Sequence, residues 1–489
     1  MFGLLLHTGR QESTRLPTVH VGSASARAVL VLGCSGYHPR ALAFLVESST
    51  MLVEGKKRAH PLLWVPTLYF AMGTPNIAVS VVAAIMYKNL GLSNAEIAAY
   101  TGAMYLPWVL KPLWAPFLEL YRNKRFYVLA MELFMVVTFA AVALAIRMPN
   151  FVALTLTLFW VSGFASATQD IAGDGVYITS TSEKEQGVYM GVQGAFWNLG
   201  RVLVSGALVS LTQWLHQWAS AGHPASIGNP LPAWQTAWMI VMLLVAGLML
   251  VSFAWHWFVL PPGARAPEAP KNVAEVFSTT IEAWVSFFQK PRIWMMIAVV
   301  YFYRFGEGFI EKVGPLFLLD QRNVGGLGLD NMALGNINGL GTVVYIGGTL
   351  LGGVLASKYG LNRVFLLLAF GLNVPHITYF YLSHALPTSL PWIATIILIE
   401  KFGYGLGTVG MMLYMMQEMS PGRFRTAHYA FATGIMALTM MSTGTISGQI
   451  QEWLGYRDFF LFVLIASIPP ILFAYFAPFG KVTVPQSAD

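Results

Sequence analysis

The chain of 489 residues is 56% hydrophobic and only 10% charged, and its mean hydropathy is +0.59. Soluble domains carry about 25% charged residues, so this composition excludes an ordinary soluble domain and indicates an integral membrane protein. The formal net charge of +7 does not indicate nucleic-acid binding, because the positive residues cluster in loops and form no basic stripe with interleaved aromatic residues.

Residues 1–60 differ from the rest of the chain. Their apolar runs are too short to cross a membrane. The arginine-rich, acid-poor start faintly resembles a transit peptide. We favour a different interpretation, in which residues 1–60 are a disordered N-terminal extension or a mis-assigned start, and Met51 is the natural first residue.

Twelve membrane-spanning helices are predicted after this extension, because each of twelve segments offers about 20 mainly apolar residues. They lie at about 62–87, 95–118, 126–146, 151–178, 188–212, 233–259, 292–318, 332–356, 363–383, 391–416, 427–450 and 457–478. The loops on one side carry sixteen Lys and Arg residues and those on the other side carry four. The positive-inside rule therefore predicts that both termini are cytoplasmic.

A weak internal repeat divides the spans into two halves. Short basic loops follow spans 2 and 8, and they supply the candidate gating residues Arg122, Arg125, Lys358 and Arg363. We predict an N-terminal six-helix half at 61–260, a cytoplasmic linker at 261–291, a C-terminal six-helix half at 292–480 and a cytoplasmic tail at 481–489. Two parallel six-helix halves are the plan of the major facilitator fold, an all-α membrane protein.

Seven charged side chains lie inside these apolar segments: Lys111, Asp170, Asp174, Arg201, Arg304, Glu307 and Glu400. An ionisable group in hydrocarbon costs roughly 3 kcal/mol on insertion scales, so such groups face inward, pair with one another or serve function. At about 1.5 Å of rise per helical residue they lie near the bilayer midplane. Substrates and coupling ions bind at that depth in transporters built from repeats.

The two aspartates of span 4 share one helix face, because they are four residues apart. Two close carboxylates do not both ionise cheaply, so Asp170 and Asp174 are candidates for proton coupling. Alternatively, Lys111 or Arg201 neutralises them and holds the spans together.

Spacing also predicts the orientation of other charges. Arg304 and Glu307 are three residues apart and are predicted to pair along span 7. Glu311 and Lys312 are predicted to lie in a solvated mouth. Adjacent residues point to different faces, and we expect Glu400 rather than Lys401 to face the cavity.

Several chemistries are not indicated. Cys34 is the only cysteine, so no disulfide framework or cysteine metal site is predicted. No glycine-rich phosphate loop opens a soluble βα unit, which disfavours ATP-driven transport. No nucleophile and base stand beside the aspartates. We therefore predict a protein that is not an enzyme and needs no cofactor or metal.

Four motifs resemble those of the AmpG-type muropeptide permeases and the related acetyl-CoA transporters. Val109-Leu-Lys-Pro-Leu-Trp-Ala-Pro116 looks like the family's Lys-x-Leu-Trp-x-Pro stretch. Ala167-Thr-Gln-Asp-Ile-Ala-Gly-Asp174 is similar to its Ser/Thr-Gln-Asp-Ile-x-x-Asp, the most specific of the four. The other two are Tyr303-Arg-Phe-Gly-Glu307 and the glycine-rich segment that begins at Ile399-Glu-Lys-Phe-Gly.

The resemblance implies a proton-coupled symporter of the inner membrane that imports an anhydro-muropeptide or a similar amino-sugar solute. It gives Lys111, Asp170, Asp174, Glu307 and Glu400 candidate roles, with a solute, protons and the lipid bilayer as partners, and we expect a monomer. Glu307 and Arg304 depart from the aspartate and lysine that muropeptide members tend to carry. Three alternatives stay open: a carrier for a siderophore, sugar or acyl-CoA, a solute sensor, and a membrane-embedded enzyme.

Overall fold

The computed structural model describes residues 59–118, 123–221, 230–263 and 272–480, and all regular secondary structure in these ranges is helical. The predictions for residues 1–58, for Arg122, for the middle of the linker and for the tail at 481–489 lie outside the described residues.

Eighteen α-helices make up the described part of the chain. In chain order they are α1 (Pro61–Ile77), α2 (Ala83–Asn89), α3 (Asn94–Ala103), α4 (Leu106–Trp114), α5 (Lys124–Ala145), α6 (Phe151–Ser180), α7 (Glu183–Arg201), α8 (Val209–Ala221), α9 (Leu231–Val259), α10 (Val273–Phe288), α11 (Ile293–Tyr303), α12 (Phe305–Leu319), α13 (Asn331–Tyr359), α14 (Leu361–Asn373), α15 (Ile377–Ala385), α16 (Leu390–Tyr414), α17 (Arg425–Ala466) and α18 (Ile468–Tyr475).

Ten helical segments within the described ranges are long and apolar enough to cross a membrane. Two features explain the difference from the twelve predicted spans. The predicted second span is divided between α3 and α4, and the last segment, 49 residues long, contains two predicted spans. Gly455 marks the junction between those two, with a φ of 74° that glycine adopts without steric cost. The number twelve therefore stays a prediction.

Two of the predicted spans are interrupted rather than continuous. The helical hydrogen-bond ladder is interrupted between α3 and α4, where Pro107 follows the junction and has no backbone N–H to donate. Span 7 is interrupted at Arg304, whose φ of −113° and ψ of 22° separate α11 from α12. The Asn373 amide donates to the carbonyl freed at Tyr303, at 3.3 Å. Such breaks are tolerated in a membrane protein where side chains satisfy the backbone.

The predicted linker contains a helix. Asn272 caps α10 by accepting the N–H of Glu275 at 2.9 Å. Buried side chains on one face anchor α10 to the bundle, among them Phe287. A second stripe is exposed, at Val273, Phe277, Ile281, Val285 and Phe288. This amphipathic pattern is typical of a helix that lies along a membrane surface.

Packing brings helices before residue 260, here called the N-terminal helices, against those after residue 292, the C-terminal helices. α3 and α4 pack along α17, and α8 packs along α13. The largest cluster of buried apolar side chains crosses this boundary and includes Val79, Ile97, Phe309 and Val313. The cavity described next lies along the same boundary.

Candidate functional site

The seven predicted charges are divided between two places in the structure. Lys111, Asp170 and Asp174 belong to a group within the N-terminal helices. Arg201 and Glu307 line a cavity between the N-terminal and C-terminal helices, and Arg304 and Glu400 pair with other charges of its wall.

The group in the N-terminal helices joins α1, α4 and α6. Lys111 Nζ lies 3.6 Å from Asp170 Oδ2, and Tyr69 Oη donates to Asp174 Oδ1 at 2.8 Å. Both members of the Lys111–Asp170 pair are about one-fifth exposed, and Asp174 is more exposed still. The predicted proximity of Lys111 to the span 4 aspartates is therefore observed for Asp170. Asp174 has a phenol as its partner, and no cation in the described part of the chain contacts it directly.

The cavity encloses about 670 Å³ of atom-free space, some of it open to solvent. The N-terminal helices contribute Val81, Arg201 and Ser205 to its lining. Most of the wall comes from α12, α13 and α16, including Glu307, Glu311, Asn338, Thr342, Tyr345, Lys401 and Tyr404. A cavity that is shared by both sets of helices changes shape when they move relative to each other.

Arg304 does not pair with Glu307, and this prediction was wrong. Its guanidinium lies 3.4 Å from Glu311 Oε2 and donates to Tyr404 Oη at 2.5 Å. The chain departs from helical geometry at Arg304, so the three-residue spacing no longer brings it to Glu307. Tyr105, at the junction of α3 and α4, also donates to Glu311. This carboxylate therefore links the two sets of helices.

The assignment of Glu311 and Lys312 to a solvated mouth was also wrong. Glu311 lines the cavity, and Lys312 is only 3% exposed. Lys312 Nζ donates to the carbonyl of Ser80 at 3.1 Å and to Thr101 Oγ1 at 3.0 Å. Ser80 belongs to a π-helical turn, Ala78–Val82, in which backbone carbonyls are less regularly paired. No sequence pattern predicts that turn.

Lys401, rather than Glu400, lines the cavity, so the predicted orientation of these neighbours is reversed. Glu400 is fully buried behind Lys401, and their charged atoms lie 2.9 Å apart. Adjacent helical residues point about 100° apart, and the sequence alone does not say which of the two points inward.

Glu307 contacts a histidine that the sequence did not single out. Its Oε2 lies 3.3 Å from His376 Nε2, and His376 Nδ1 lies 2.7 Å from Ser467 Oγ. The side chains of His376 and Glu307 are 0% and 1% exposed. The three residues come from three distant stretches of sequence, and no local spacing relates them.

Arg201 has a different environment from the other cations of the cavity. Among the described residues, its guanidinium makes no side-chain hydrogen bond and no ion pair, whereas Arg304 and Lys401 each face a carboxylate. Arg201 ends α7, and a π-helical turn, Val202–Leu208, follows it. The arrangement leaves one cation available to an anionic group of a solute.

One end of the cavity is closed by polar contacts between the two sets of helices, and we call it the sealed end. Lys88 Nζ lies 2.6 Å from Asp320 Oδ1. Asn94 Nδ2 and Tyr456 Oη donate to Asp320 Oδ2 at 3.1 and 2.5 Å. Beside them Asn331 Nδ2 donates to Thr212 Oγ1 at 2.7 Å.

Close backbone approach completes the seal. A Cβ at Gly335 would lie 2.3 Å from Ser210 Oγ and 2.5 Å from the carbonyl of Gly206. Small residues allow helices to pack this closely in membranes. The opposite end, which we call the basic end, carries Arg125, Lys358 and Arg363. There α7 makes few contacts with α13, although α8 packs along it.

The predicted gating residues do not form one network in this conformation. The Arg125 guanidinium donates to the carbonyl of Trp257 and joins α5 to α9. Lys358 lies over the ring of Tyr359, its neighbour in sequence, and Arg363 is exposed. Arg122 lies outside the described residues. A gating role for these residues stays a prediction.

A second buried histidine–glutamate contact lies within the N-terminal helices. His256 Nδ1 is 2.7 Å from Glu132 Oε1, and both side chains are 0% exposed. Gln169 Nε2 donates to the same carboxylate oxygen at 3.0 Å, and Thr67 Oγ1 lies 2.9 Å from His256 Nε2. The four residues come from distant stretches of sequence, and no local spacing relates them.

A polar cavity between two sets of membrane-spanning helices, sealed at one end by breakable contacts, defines a secondary transporter. The family model described as Major Facilitator Superfamily matches residues 67–449. The chain belongs to this superfamily, whose members are transporters rather than enzymes.

Relatives of known description support the same conclusion. The anhydromuropeptide permease of Escherichia coli is 24% identical over 421 residues, which cover 83% of this chain and 77% of the relative. A putative transporter, AmpG 4, of Rickettsia conorii is 20% identical over 413 residues, which cover 82% of this chain and 92% of the relative.

Solved structures show a similar fold. A transporter of the POT family in complex with 5-aminolevulinic acid matches with a TM-score of 0.64 and 11% identity, over 86% of this chain and 96% of that one. A D-xylose–proton symporter matches with a TM-score of 0.62 and 13% identity, over 85% of this chain and 96% of that one. At these identities the likeness concerns the fold alone.

Proposed function

We propose that this transporter imports an anhydro-muropeptide or a similar amino-sugar solute together with protons, by alternating access across the inner membrane. The observation that carries the proposal is the cavity between the N-terminal and C-terminal helices, which is sealed at one end and lined by Arg201, a cation that no described residue pairs. The predicted halves, 61–260 and 292–480, are the bodies that would move, and we expect a monomer to suffice because the cavity lies within one chain.

The direction of the cavity follows from charge. The loops of the basic end carry most of the Lys and Arg residues, and from the positive-inside rule we infer that this end and both termini are cytoplasmic. The sealed end would then face outward, and the basic end, where α7 makes few contacts with α13, would face the cytoplasm. The reciprocal state requires the contacts of Asp320 and Gly335 to separate.

The lining supports a solute that carries both an anionic group and hydroxyl groups. Arg201 offers a planar guanidinium that binds a carboxylate in two parallel hydrogen bonds. Tyr345 and Tyr404 offer ring faces and hydroxyl groups, and Asn338 and Thr342 add polar contacts. A muropeptide has peptide carboxylates and sugar hydroxyls, and the 24% identical relative is described as an anhydromuropeptide permease.

The span 4 aspartates are proposed to take part in proton coupling. Lys111 compensates Asp170, whereas no cation of the described residues contacts Asp174, so Asp174 is the carboxylate proposed to bind a proton. We expect Asp174→Asn and Asp170→Asn to reduce proton-driven accumulation at least tenfold while purified protein keeps solute-induced thermal stabilisation. Accumulation at the parental level in both variants would contradict a coupling role.

Uptake by purified protein in proteoliposomes tests the proposed function. A panel of radiolabelled solutes should include an anhydro-muropeptide, a neutral sugar, a siderophore and an acyl-CoA, each measured with and without an inward proton gradient. We expect accumulation of the muropeptide only with the gradient, and Arg201→Gln should raise its KM at least tenfold. Accumulation of a different solute would identify that solute as the substrate instead. Equal uptake with and without the proton gradient would contradict proton coupling.

A further inference from the structure

The linker helix α10 has three faces, and one of them is both apolar and exposed. The first face is buried against the bundle and contains Val276, Ala283 and Phe287. At about 100° per residue, an apolar stripe is centred about 120° away from this face. The stripe consists of residues that are 43% to 58% exposed, namely Val273, Phe277, Ile281, Val285 and Phe288. The third face is exposed and polar, with Glu275, Ser278, Glu282 and Gln289. Water suits the polar face, whereas a contiguous apolar stripe marks a surface that is covered by something else.

The orientation of α10 is fixed by contacts with both sets of helices. Phe277 lies edge-on against Phe117, at the end of the predicted second span, with ring centroids 5.5 Å apart. Toward the other end of α10, Phe287 stacks on Phe431 of α17, with ring centroids 5.3 Å apart. These contacts prevent the helix from rotating about its axis, so the apolar stripe does not turn inward to join the core.

The apolar stripe continues onto a surface that faces lipid. Phe288, in the last turn of α10, lies against Trp294, with ring centroids 5.6 Å apart. Trp294 is 69% exposed and belongs to the first turn of α11, in a segment long and apolar enough to cross a membrane. Tryptophan is enriched where such segments meet the lipid headgroups. The stripe therefore begins at the edge of the bilayer, although α10 itself lies in a segment too polar to span it.

Positive charge lies where the apolar stripe meets this membrane-spanning segment. Lys290 and Arg292 stand between Phe288 and Trp294 in the chain, and Arg292 is exposed. Arg292 has a φ of 58° and a ψ of 21°, a left-handed conformation that residues other than glycine rarely adopt. Glycine would adopt it at no steric cost, so an arginine at this position indicates a use for the guanidinium. A guanidinium binds a phosphate group in two parallel hydrogen bonds.

We propose that α10 lies in the headgroup region of the leaflet at the basic end, with its apolar stripe against the acyl chains and Arg292 on the phosphate of an anionic phospholipid. The polar face of α10 then remains in water. Interfacial helices bind more strongly as their apolar area and their attraction to anionic lipids increase. A soluble protein partner fits the stripe less well, because it would have to displace lipid from Trp294. This inference depends neither on the identity of the solute nor on proton coupling.

Spin labels on two neighbouring faces of α10 test the contact with the bilayer. In a background without Cys34, Ile281→Cys places a nitroxide in the apolar stripe, and Glu282→Cys, the matched control, places one on the polar face. The whole protein is reconstituted in nanodiscs. The accessibility of each label is measured to oxygen, which concentrates in the bilayer, and to a neutral nickel chelate, which stays in water. We expect the ratio of oxygen to nickel accessibility to be at least about threefold higher at position 281 than at position 282, because only the apolar face is immersed.

Two results of this measurement would overturn the proposal. Equal ratios at the two positions would show that water surrounds both faces. A label at position 281 that neither reagent reaches would show that a second copy of the chain, or another protein, covers the apolar stripe. Both positions are exposed, so neither substitution disturbs the core of the bundle.

The lipid composition of the nanodiscs tests the role of Arg292. Discs of phosphatidylcholine alone are compared with discs that also contain phosphatidylglycerol, which is anionic. We expect the accessibility ratio at position 281 to be about twofold higher with the anionic lipid. Arg292→Asn should abolish this difference, because asparagine tolerates the left-handed conformation and carries no charge. The matched control, Arg147→Asn, removes one positive charge from an exposed loop at the other end of the molecule and should retain the difference. The same ratio in both lipids, or an unchanged difference in Arg292→Asn, would overturn the binding of an anionic phospholipid.

Discussion

Asp320 is the residue whose replacement should shift the conformational equilibrium most directly. Across the sealed end its carboxylate pairs with Lys88 and accepts a hydrogen bond from Asn94, and within the C-terminal helices it accepts one from Tyr456. Both side chains of the Lys88–Asp320 pair are about one-sixth exposed. In Asp320→Asn the side chain keeps nearly the same shape and loses its charge. The interactions between the N-terminal and C-terminal helices weaken, and the population open at this end rises.

The size of the shift follows from the two interactions that the Asp320 carboxylate makes across the sealed end, with Lys88 and Asn94. A partly exposed ion pair contributes about 0.5–1 kcal/mol. Hydrogen bonds to a charged group are about twice as strong as neutral ones, so neutralising Asp320 weakens the Asn94 hydrogen bond by about 0.5–1 kcal/mol. The sum is about 1.5 kcal/mol, which corresponds to a roughly tenfold larger open population.

A buried cysteine reports this population. Thr212 is 0% exposed and contacts Asn331 across the sealed end, so Thr212→Cys in a background without Cys34 reacts with a maleimide only when the helices separate. In detergent we expect roughly tenfold faster labelling with Asp320→Asn than without it. The matched control is Asp330→Asn, because Asp330 caps α13 at the same end and asparagine caps equally well. Equal labelling rates in the two variants would refute the role of Asp320.

Three further predictions follow from the structure. Gly335→Ala should speed the same labelling at least tenfold and reduce transport, because its Cβ collides with Ser210 and Gly206, whereas Gly347→Ala in the same helix meets nothing within 4 Å and should be neutral. Glu132→Gln should lower the free energy of unfolding by about 2–3 kcal/mol, since it disrupts a fully buried contact with a histidine. Glu282→Gln, in an exposed ion pair, should change that free energy by less than about 0.5 kcal/mol. Denaturant unfolding measures both changes. In intact cells a cysteine that replaces Arg363 should resist an impermeant thiol reagent. A cysteine that replaces Trp453, which is 87% exposed near the sealed end, should react with it. The opposite labelling pattern would invert the topology.

The fold could be predicted from the sequence because hydropathy and loop charge are strong signals that are read locally. Membrane-spanning segments must satisfy their backbone internally, so long apolar runs become helices with few alternatives. It was less reliable where a helix is interrupted. The break at Arg304 changed the partner of that residue from Glu307 to Glu311, and the break before Pro107 brought Tyr105 to the same carboxylate. Composition near these positions does not indicate where the ladder ends.

Only part of the candidate functional site could be predicted from the sequence, and the limit is again geometric. Lys111 and Asp170 lie on neighbouring spans of similar depth, and depth counting brought them together correctly. His376 and Ser467 were missed because their relation to Glu307 depends on the rotation of three helices about their axes. The orientation of Glu400 and Lys401 was reversed for the same reason. Rotation is set by packing against neighbours, which a single sequence does not show.

The central claim is that solute and proton cross the membrane together. A pH-sensitive dye enclosed in proteoliposomes measures it directly: an anionic muropeptide is added outside at equal pH, with potassium and valinomycin to prevent a membrane potential. The account predicts that the lumen acidifies on solute addition in the parent protein, and at least tenfold more slowly in Asp174→Asn. Solute uptake without any change of lumenal pH in the parent would contradict it.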